Sequence, residues 1–222
     1  MFAPTFQRDT VDQYDKLAWQ YDKLHGRWLR HAGGEAQAAL EALVRALVTS
    51  DTALLDAGCG TGNLARALIA EGIPPEVMTL LDPSKAMLVR CADIPVQKVR
   101  GRLEALPFDD ATFDIVTCVW ALETVPNPVL ALKELCRVVR PGGVLCLAFC
   151  ADMPARGLTD SFMRQALLCR GTGRFLPRKL VIDAIERSVG FKVQAIPSRG
   201  PAATLLAKRT AVSDESVKVR KG

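Results

Sequence analysis

A doubly wound α/β fold, with a mostly parallel sheet preceded by helices and closed by an antiparallel hairpin, is what this 222-residue sequence predicts. Three observations carry the prediction. Short apolar runs alternate with helical stretches from Leu54 through Leu147, the pattern of parallel strands joined by right-handed crossovers. A loop with glycines at 58, 60 and 62 joins the first run to its helix. The last two apolar runs are separated by nothing but a Pro/Gly-rich turn.

The elements follow in order. Val11, Tyr14, Leu17, Ala18, Tyr21, Leu24 and Trp28 recur every three or four positions and mark one face of a helix. A second helix over about 35–48 feeds the strand Leu54-Leu55-Asp56. Val77-Met78-Thr79-Leu80-Leu81 is the next strand, closed by Asp82. Val119-Trp120-Ala121-Leu122 ends the fourth strand and puts Glu123 at its C-terminal end. Asn127 is placed to cap the next helix, Pro128 suits its first turn, and Pro141-Gly142-Gly143 should stop it. A glycine-broken polar insert occupies 152–178, and a helix from Pro177 to Val189 ends at Gly190. Residues 191–196 and 203–207 then pair as a hairpin around Pro197-Ser198-Arg199-Gly200-Pro201.

Composition fits one domain over 1–209, helical over 1–50, with a substrate-side insert at 151–178 and a basic, disordered tail at 210–222. No apolar run approaches a membrane span and the N-terminus lacks a signal-peptide core, so a soluble, cytoplasmic protein is expected. Cysteines at 59, 91, 118, 136, 146, 150 and 169 have no zinc-ligand spacing. They are read as reduced, mostly buried thiols with no metal site, the alternative being a cluster of Cys118, Cys146 and Cys150 on neighbouring strands. Charge is uneven: residues 1–150 hold 15 Lys/Arg against 18 Asp/Glu, whereas 151–222 hold 14 against 6. Arg164, Arg170, Arg174, Arg178 and Lys179 concentrate the basic part. Such a face would suit an anionic acceptor or weak peripheral contact with an anionic membrane, or would be a solvated surface.

The glycine loop points to a cofactor. Glycines let the backbone approach a ligand closely, and the following helix aims free N–H groups at it. Asp56, at the strand end, faces a pyrophosphate badly and an ammonium or sulfonium well. Asp82 stands where an acidic side chain takes two ribose hydroxyls. An adenosine with a charged amino-acid tail satisfies both, against the dinucleotide reading that Gly60-x-Gly62-x-x-Ala65 alone would allow.

Leu54–Ala65, Leu81–Leu88, Leu106–Asp110 with Phe113–Val116, Val125–Pro128 and Arg140–Leu145 together resemble, in order and spacing, the class I S-adenosylmethionine-dependent methyltransferases. The likeness is greatest to the small-molecule branch that includes quinone and phospholipid-headgroup enzymes. It implies a seven-stranded sheet, S-adenosyl-L-methionine as cofactor, and methyl transfer by in-line displacement to a small or amphiphilic acceptor: an amine, hydroxyl, activated carbon or thiol. Tyr14-Asp15-Lys16-Leu17-Ala18-Trp19-Gln20-Tyr21-Asp22 resembles the family's lid, which would lay Tyr14 and Tyr21 over the cofactor. The implied cofactor residues are Tyr14, Tyr21, Asp56, Gly58, Cys59, Gly60, Asp82, Pro83, Met87, Arg102, Leu103 and Val119. Tyr21, Glu123 and His25 are the catalytic candidates, with His31 the other histidine. The family usually carries an acidic residue where this chain has Arg102, and arginine cannot accept from an adenine amino group. Glu104 or a backbone carbonyl would have to serve. A silent cofactor-binding regulator and a nicotinamide-dependent oxidoreductase are the competing readings. Nucleic acid is not an expected partner, because the chain lacks an RNA-binding module and an Asn/Asp-Pro-Pro-Tyr/Phe tetrad.

Overall fold

The computed structural model describes residues 6–152, 174–196 and 201–211. Two helices, α1 (Phe6–Leu17) and α2 (Tyr21–Trp28), lead through a π-helical turn, Leu29–Gly33, into α3 (Gly34–Leu47). The alternating core then runs β1 (Leu54–Ala57), α4 (Asn63–Ala70), β2 (Met78–Asp82), α5 (Lys85–Arg90), β3 (Gln97–Arg100), β4 (Phe113–Val119), α6 (Pro128–Val138) and β5 (Val139–Cys150). Helix α7 (Arg178–Glu186) and strands β6 (Phe191–Ile196) and β7 (Ala202–Arg209) complete it. The seven strands are ordered β3-β2-β1-β4-β5-β7-β6. All pairings through β5 are parallel, whereas β7 runs antiparallel to both β5 and β6, as the hairpin reading requires.

Residue parity assigns each strand side chain to a face. Leu55, Leu81, Val116, Leu145 and Leu147 join α6 and α7 in one core; Leu54, Leu80, Ile115 and Cys146 join α3 and α4 in the other. The same parity separates the thiols that the sequence grouped. Cys118 packs into the first core and Cys146 and Cys150 into the second, so that cluster does not form.

Three boundaries differ from expectation. The continuous helix predicted over 11–28 is broken at Ala18-Trp19-Gln20, where Trp19 is 74% exposed and Gln20 N returns to Leu17 O. Helix α6, capped by Asn127 Oδ1 on Leu130 N at 3.0 Å, ends at Val138 before the Pro-Gly-Gly stop. Strand β5 already pairs at Val139, and Arg140–Gly143 form a bulge opposite β4 that Gly142 makes possible at φ +85°. The last helix ends at Glu186, three residues before Val189, and the chain turns at Gly190. The insert at 153–173, the hairpin tip at 197–200 and the tail at 212–222, for which the sequence carries expectations, lie outside the described residues.

Candidate active site

Strands β1 and β4 are neighbours whose following helices pack on opposite faces, so a crevice opens at their C-terminal ends. The glycine loop forms its floor. Gly58 N and Cys59 N both donate to Leu81 O, at 2.7 and 3.0 Å, tying the loop to β2. Gly58 sits at φ +79°, and a Cβ there would fall 2.4 Å from Ala121 Cβ, so only glycine lets the β1 and β4 loops close on each other.

Both aspartates predicted from the sequence are buried beside this floor. Asp82 accepts from Gly60 N (2.9 Å) and Ser84 N (2.8 Å); burial outweighs these amides and lifts its pKa to about 6. Asp56 accepts from Thr117 Oγ1 at 2.9 Å, and burial, with the charge of Asp82 adding, raises it to about 7. Two carboxyls held above their ordinary range await a cation or hydroxyl donors that would stabilise the charged form.

Two adjoining cavities share Tyr21, Gly58 and Trp120. The larger, with about 670 Å³ of empty space that opens in part to solvent, brings together Tyr14, Gly60, Asp82, Pro83, Met87, Arg102 and Leu103. The smaller brings together His25, Asp56, Cys59 and Val119. The Tyr14 and Tyr21 rings meet edge to face at 6.1 Å, and Tyr21 lies on the glycine loop, 3.6 Å from where a Gly60 Cβ would be. Burial raises both phenols well above their usual pKa, so both are neutral.

His25 stacks on Tyr21 at 5.6 Å, with Nε2 3.2 Å from Gln37 Oε1. Trp120 Nε1, which can only donate, gives its proton to the same oxygen at 2.8 Å, and Gln37 Nε2 donates to Glu41. That orientation of Gln37 requires His25 to donate from Nε2, leaving Nδ1 as an acceptor. Burial lowers the His25 pKa, so the ring is a neutral base at pH 7.

Glu123 lines neither cavity. It sits on a 3₁₀ turn, Leu122–Thr124, only 4% exposed, behind a wall that includes Ala121 and Thr124. Its Oε1 accepts from Cys150 N at 3.2 Å and its Oε2 is buried without a partner among the described residues. Burial raises its pKa, and its charge is felt by both Tyr14 and Tyr21. At the other end of the cleft Arg102 is exposed, whereas Glu104 lines the cavity with a buried Oε1 that has no partner among the described residues. An acceptor oxygen is therefore present two residues from where the sequence lacked one.

The expected basic face is partly rebuilt. Arg174 turns inward, donating to the carbonyls of Val125 (2.6 Å) and Pro126 (2.9 Å), and the exposed Lys179 pairs with Asp183. Arg164 and Arg170 lie outside the described residues. Trp120 was missed as a site residue. It lines both cavities at φ +56°, a conformation costing on the order of 1–3 kcal/mol for a non-glycine residue. Its position directly after β4 was the available signal. Nothing in the sequence marked Gln37 or Thr117, whereas Ser84 lies within the Leu81–Leu88 motif.

A family model described as a methyltransferase domain matches residues 55–147. A ubiquinone/menaquinone biosynthesis C-methyltransferase of Methylobacterium nodulans is 38% identical over 153 residues, 64% of this chain and 60% of that one, so the chain spans under two thirds of that relative. A malonyl-acyl-carrier-protein O-methyltransferase of Pectobacterium atrosepticum is 32% identical over 187 residues, covering 83% of this chain and 69% of that one. The solved structure of a possible histamine N-methyltransferase from Thermotoga maritima shares the fold at a TM-score of 0.66 and 20% identity, over 89% of this chain and 98% of that one. With a glycine loop, two strand-end aspartates and a seven-stranded sheet ending in an antiparallel pair, the chain belongs to the class I S-adenosylmethionine-dependent methyltransferases.

Proposed function

We propose that this chain transfers a methyl group from S-adenosylmethionine to a small or amphiphilic acceptor. The observation that carries the reading is one continuous cleft running from the glycine loop past Asp82 to a paired-tyrosine cover. The residues fit the cofactor. Asp82 would take the ribose hydroxyls, Asp56 the positive amino-acid tail, and Leu103 with Glu104 the adenine edge, Arg102 staying at the rim. When bound, S-adenosylmethionine supplies an electrophilic methyl on a sulfonium.

The protein's own work is alignment and exclusion of water. Tyr14 and Tyr21 would cover the reacting centre with neutral rings that favour positive charge. An acceptor that must lose a proton would give it to the neutral His25, which lines the cleft on the Asp56 side. That favours a phenol-like ring, whose carbon or oxygen reacts, or an acidic hydroxyl. The relatives act in quinone biosynthesis and on a carrier-bound malonyl group, which supports this acceptor range. Glu123, which lines neither cavity, would act on the site through its charge on Tyr14 and Tyr21. Among the described residues no helix is long and apolar enough to cross a membrane. The excess of Lys and Arg after residue 150 supports peripheral contact with an anionic surface as a route to amphiphilic acceptors.

The test is incubation with S-adenosylmethionine carrying a labelled methyl and separate pools of quinols, carboxylic thioesters and amines, followed by mass spectrometry. A labelled quinol or thioester product supports the reading. Cofactor binding without label in any pool returns the chain to the silent-regulator alternative.

A further inference from the structure

The segment over the cleft contains the same pair twice, Tyr14-Asp15 and Tyr21-Asp22, seven residues apart. The proposed function uses the tyrosines; the aspartates are unexplained by it. Each aspartate reaches across to a different part of the cofactor cradle. Asp15 Oδ1 accepts from Ser84 Oγ at 2.5 Å and from Ala86 N at 3.1 Å, at the start of α5 directly after Asp82. Asp22 Oδ1 accepts from Thr61 Oγ1 at 2.5 Å and weakly from Asn63 Nδ2, at the loop opening α4, while its Oδ2 meets Arg90 at 3.3 Å. The hydrogen bonds from Thr61, Arg90 and Asn63 hold the Asp22 carboxyl below its ordinary pKa.

The break at Ala18-Trp19-Gln20 is what allows two landing points. Within one straight helix, residues 15 and 22 would share a face and reach one element. With the bend, one tyrosine-aspartate pair addresses β2–α5 and the other the glycine loop, and the two rings meet edge to face between them. Ahead of Trp28, which packs on Trp120 in the core, little apolar burial competes with these bonds: of the described side chains in α1, α2 and their connection before it, Thr10 and Ala18 alone are fully buried.

We infer that Asp15 and Asp22 are positioning residues: a pair of polar latches that dock the tyrosine helices onto the cradle and so hold Tyr14 and Tyr21 over the bound cofactor. The inference rests on the cofactor reading for its consequence, though not for the docking itself. Opening the latch ahead of Trp28 exposes few fully buried apolar groups, so the cover can lift for exchange and close by remaking hydrogen bonds to groups that flank the ligand.

The experiment uses the full chain with Asp15→Ala, Asp22→Ala, Asp22→Asn, Thr61→Ala and the Asp22→Ala/Thr61→Ala double variant. Amide exchange is followed without ligand, and dissociation of S-adenosylhomocysteine by stopped flow. Each alanine variant of an aspartate should speed exchange across residues 10–28 while β1, β4 and β5 keep wild-type protection. Each should also raise the dissociation rate about ten-fold, with Asp22→Asn, which keeps an acceptor oxygen, recovering part of it. The double variant should be no worse than Asp22→Ala alone. Unchanged exchange in the aspartate variants overturns the latch, as does loss of protection throughout the sheet, which would make the contacts general stabilisers. Wild-type protein that fails to bind S-adenosylhomocysteine would instead overturn the cofactor reading, and the exchange measurement would still decide the docking.

Discussion

Helices α1, α2 and α3 are all amphipathic, yet the structure attaches them in different ways. Helix α3 sends Ala36, Leu40 and Val44 into the core against β5 and β7, each at 1% exposure or less, and Thr204 Oγ1 donates to its Ala36 carbonyl. Helices α1 and α2 lie across the cleft, with Trp28 at their end packed in the core against Trp120 and Asp15 and Asp22 making polar contacts ahead of it. Burial of a leucine side chain contributes about 1.5–3 kcal/mol, whereas a single hydrogen bond nets about 0.5–1.5 kcal/mol. On the proposed latch, one helix is part of the fold and the other two form a cover that can be removed and replaced. An amphipathic pattern reports that a face is buried, without reporting how firmly.

The largest test of this contrast is Leu40→Ala, which should lower the unfolding free energy by ~2–5 kcal/mol in urea denaturation, the cost of a cavity in a close-packed core. A loss under 1 kcal/mol would place α3 with the cover helices. Asp82→Ala, at the floor below the cover, should weaken S-adenosylmethionine binding by ~1.5–3 kcal/mol in calorimetric titration. An unchanged dissociation constant would remove the ribose role from β2. Tyr21→Ala should reduce turnover well beyond any fall in melting temperature, because the ring belongs to the cover. A large fall in melting temperature with normal activity in the folded fraction would make Tyr21 a core residue.

The smallest effect concerns pH. Asp56 and Asp82 have folded pKa values raised to about 7 and about 6, above the ordinary 3.8. Their contribution to stability is thus complete below about pH 4 and lost as pH rises through 6 to 7. On the proposed cofactor roles, binding should have the opposite sign, since both groups would be charged to hold a cation and ribose. The melting temperature of the free protein should gain from these two groups on going from pH 8 to pH 5.5, while the increment produced by saturating S-adenosylmethionine shrinks. An increment independent of pH would mean that neither carboxyl changes charge on binding.

The sequence by itself determined the cradle: the glycine loop, Asp56, Asp82, the Asn127 cap and the closing hairpin were all legible. Each is encoded by residues within a few positions of one another, so backbone sterics and strand or helix period express them locally. Tertiary structure alone decided the rest. Asp15 meets Ser84 69 residues away, Gln37 receives Trp120 across 83, and Thr117 reaches Asp56 across 61. It also placed Glu123 behind the cleft wall, turned Arg174 inward, and put Cys118 and Cys146 on opposite faces of the sheet. The physical reason is that a polar contact between distant segments has no periodicity to read. It depends on strand register, where one residue of shift moves every side chain to the other face, and register is settled only when the whole sheet packs.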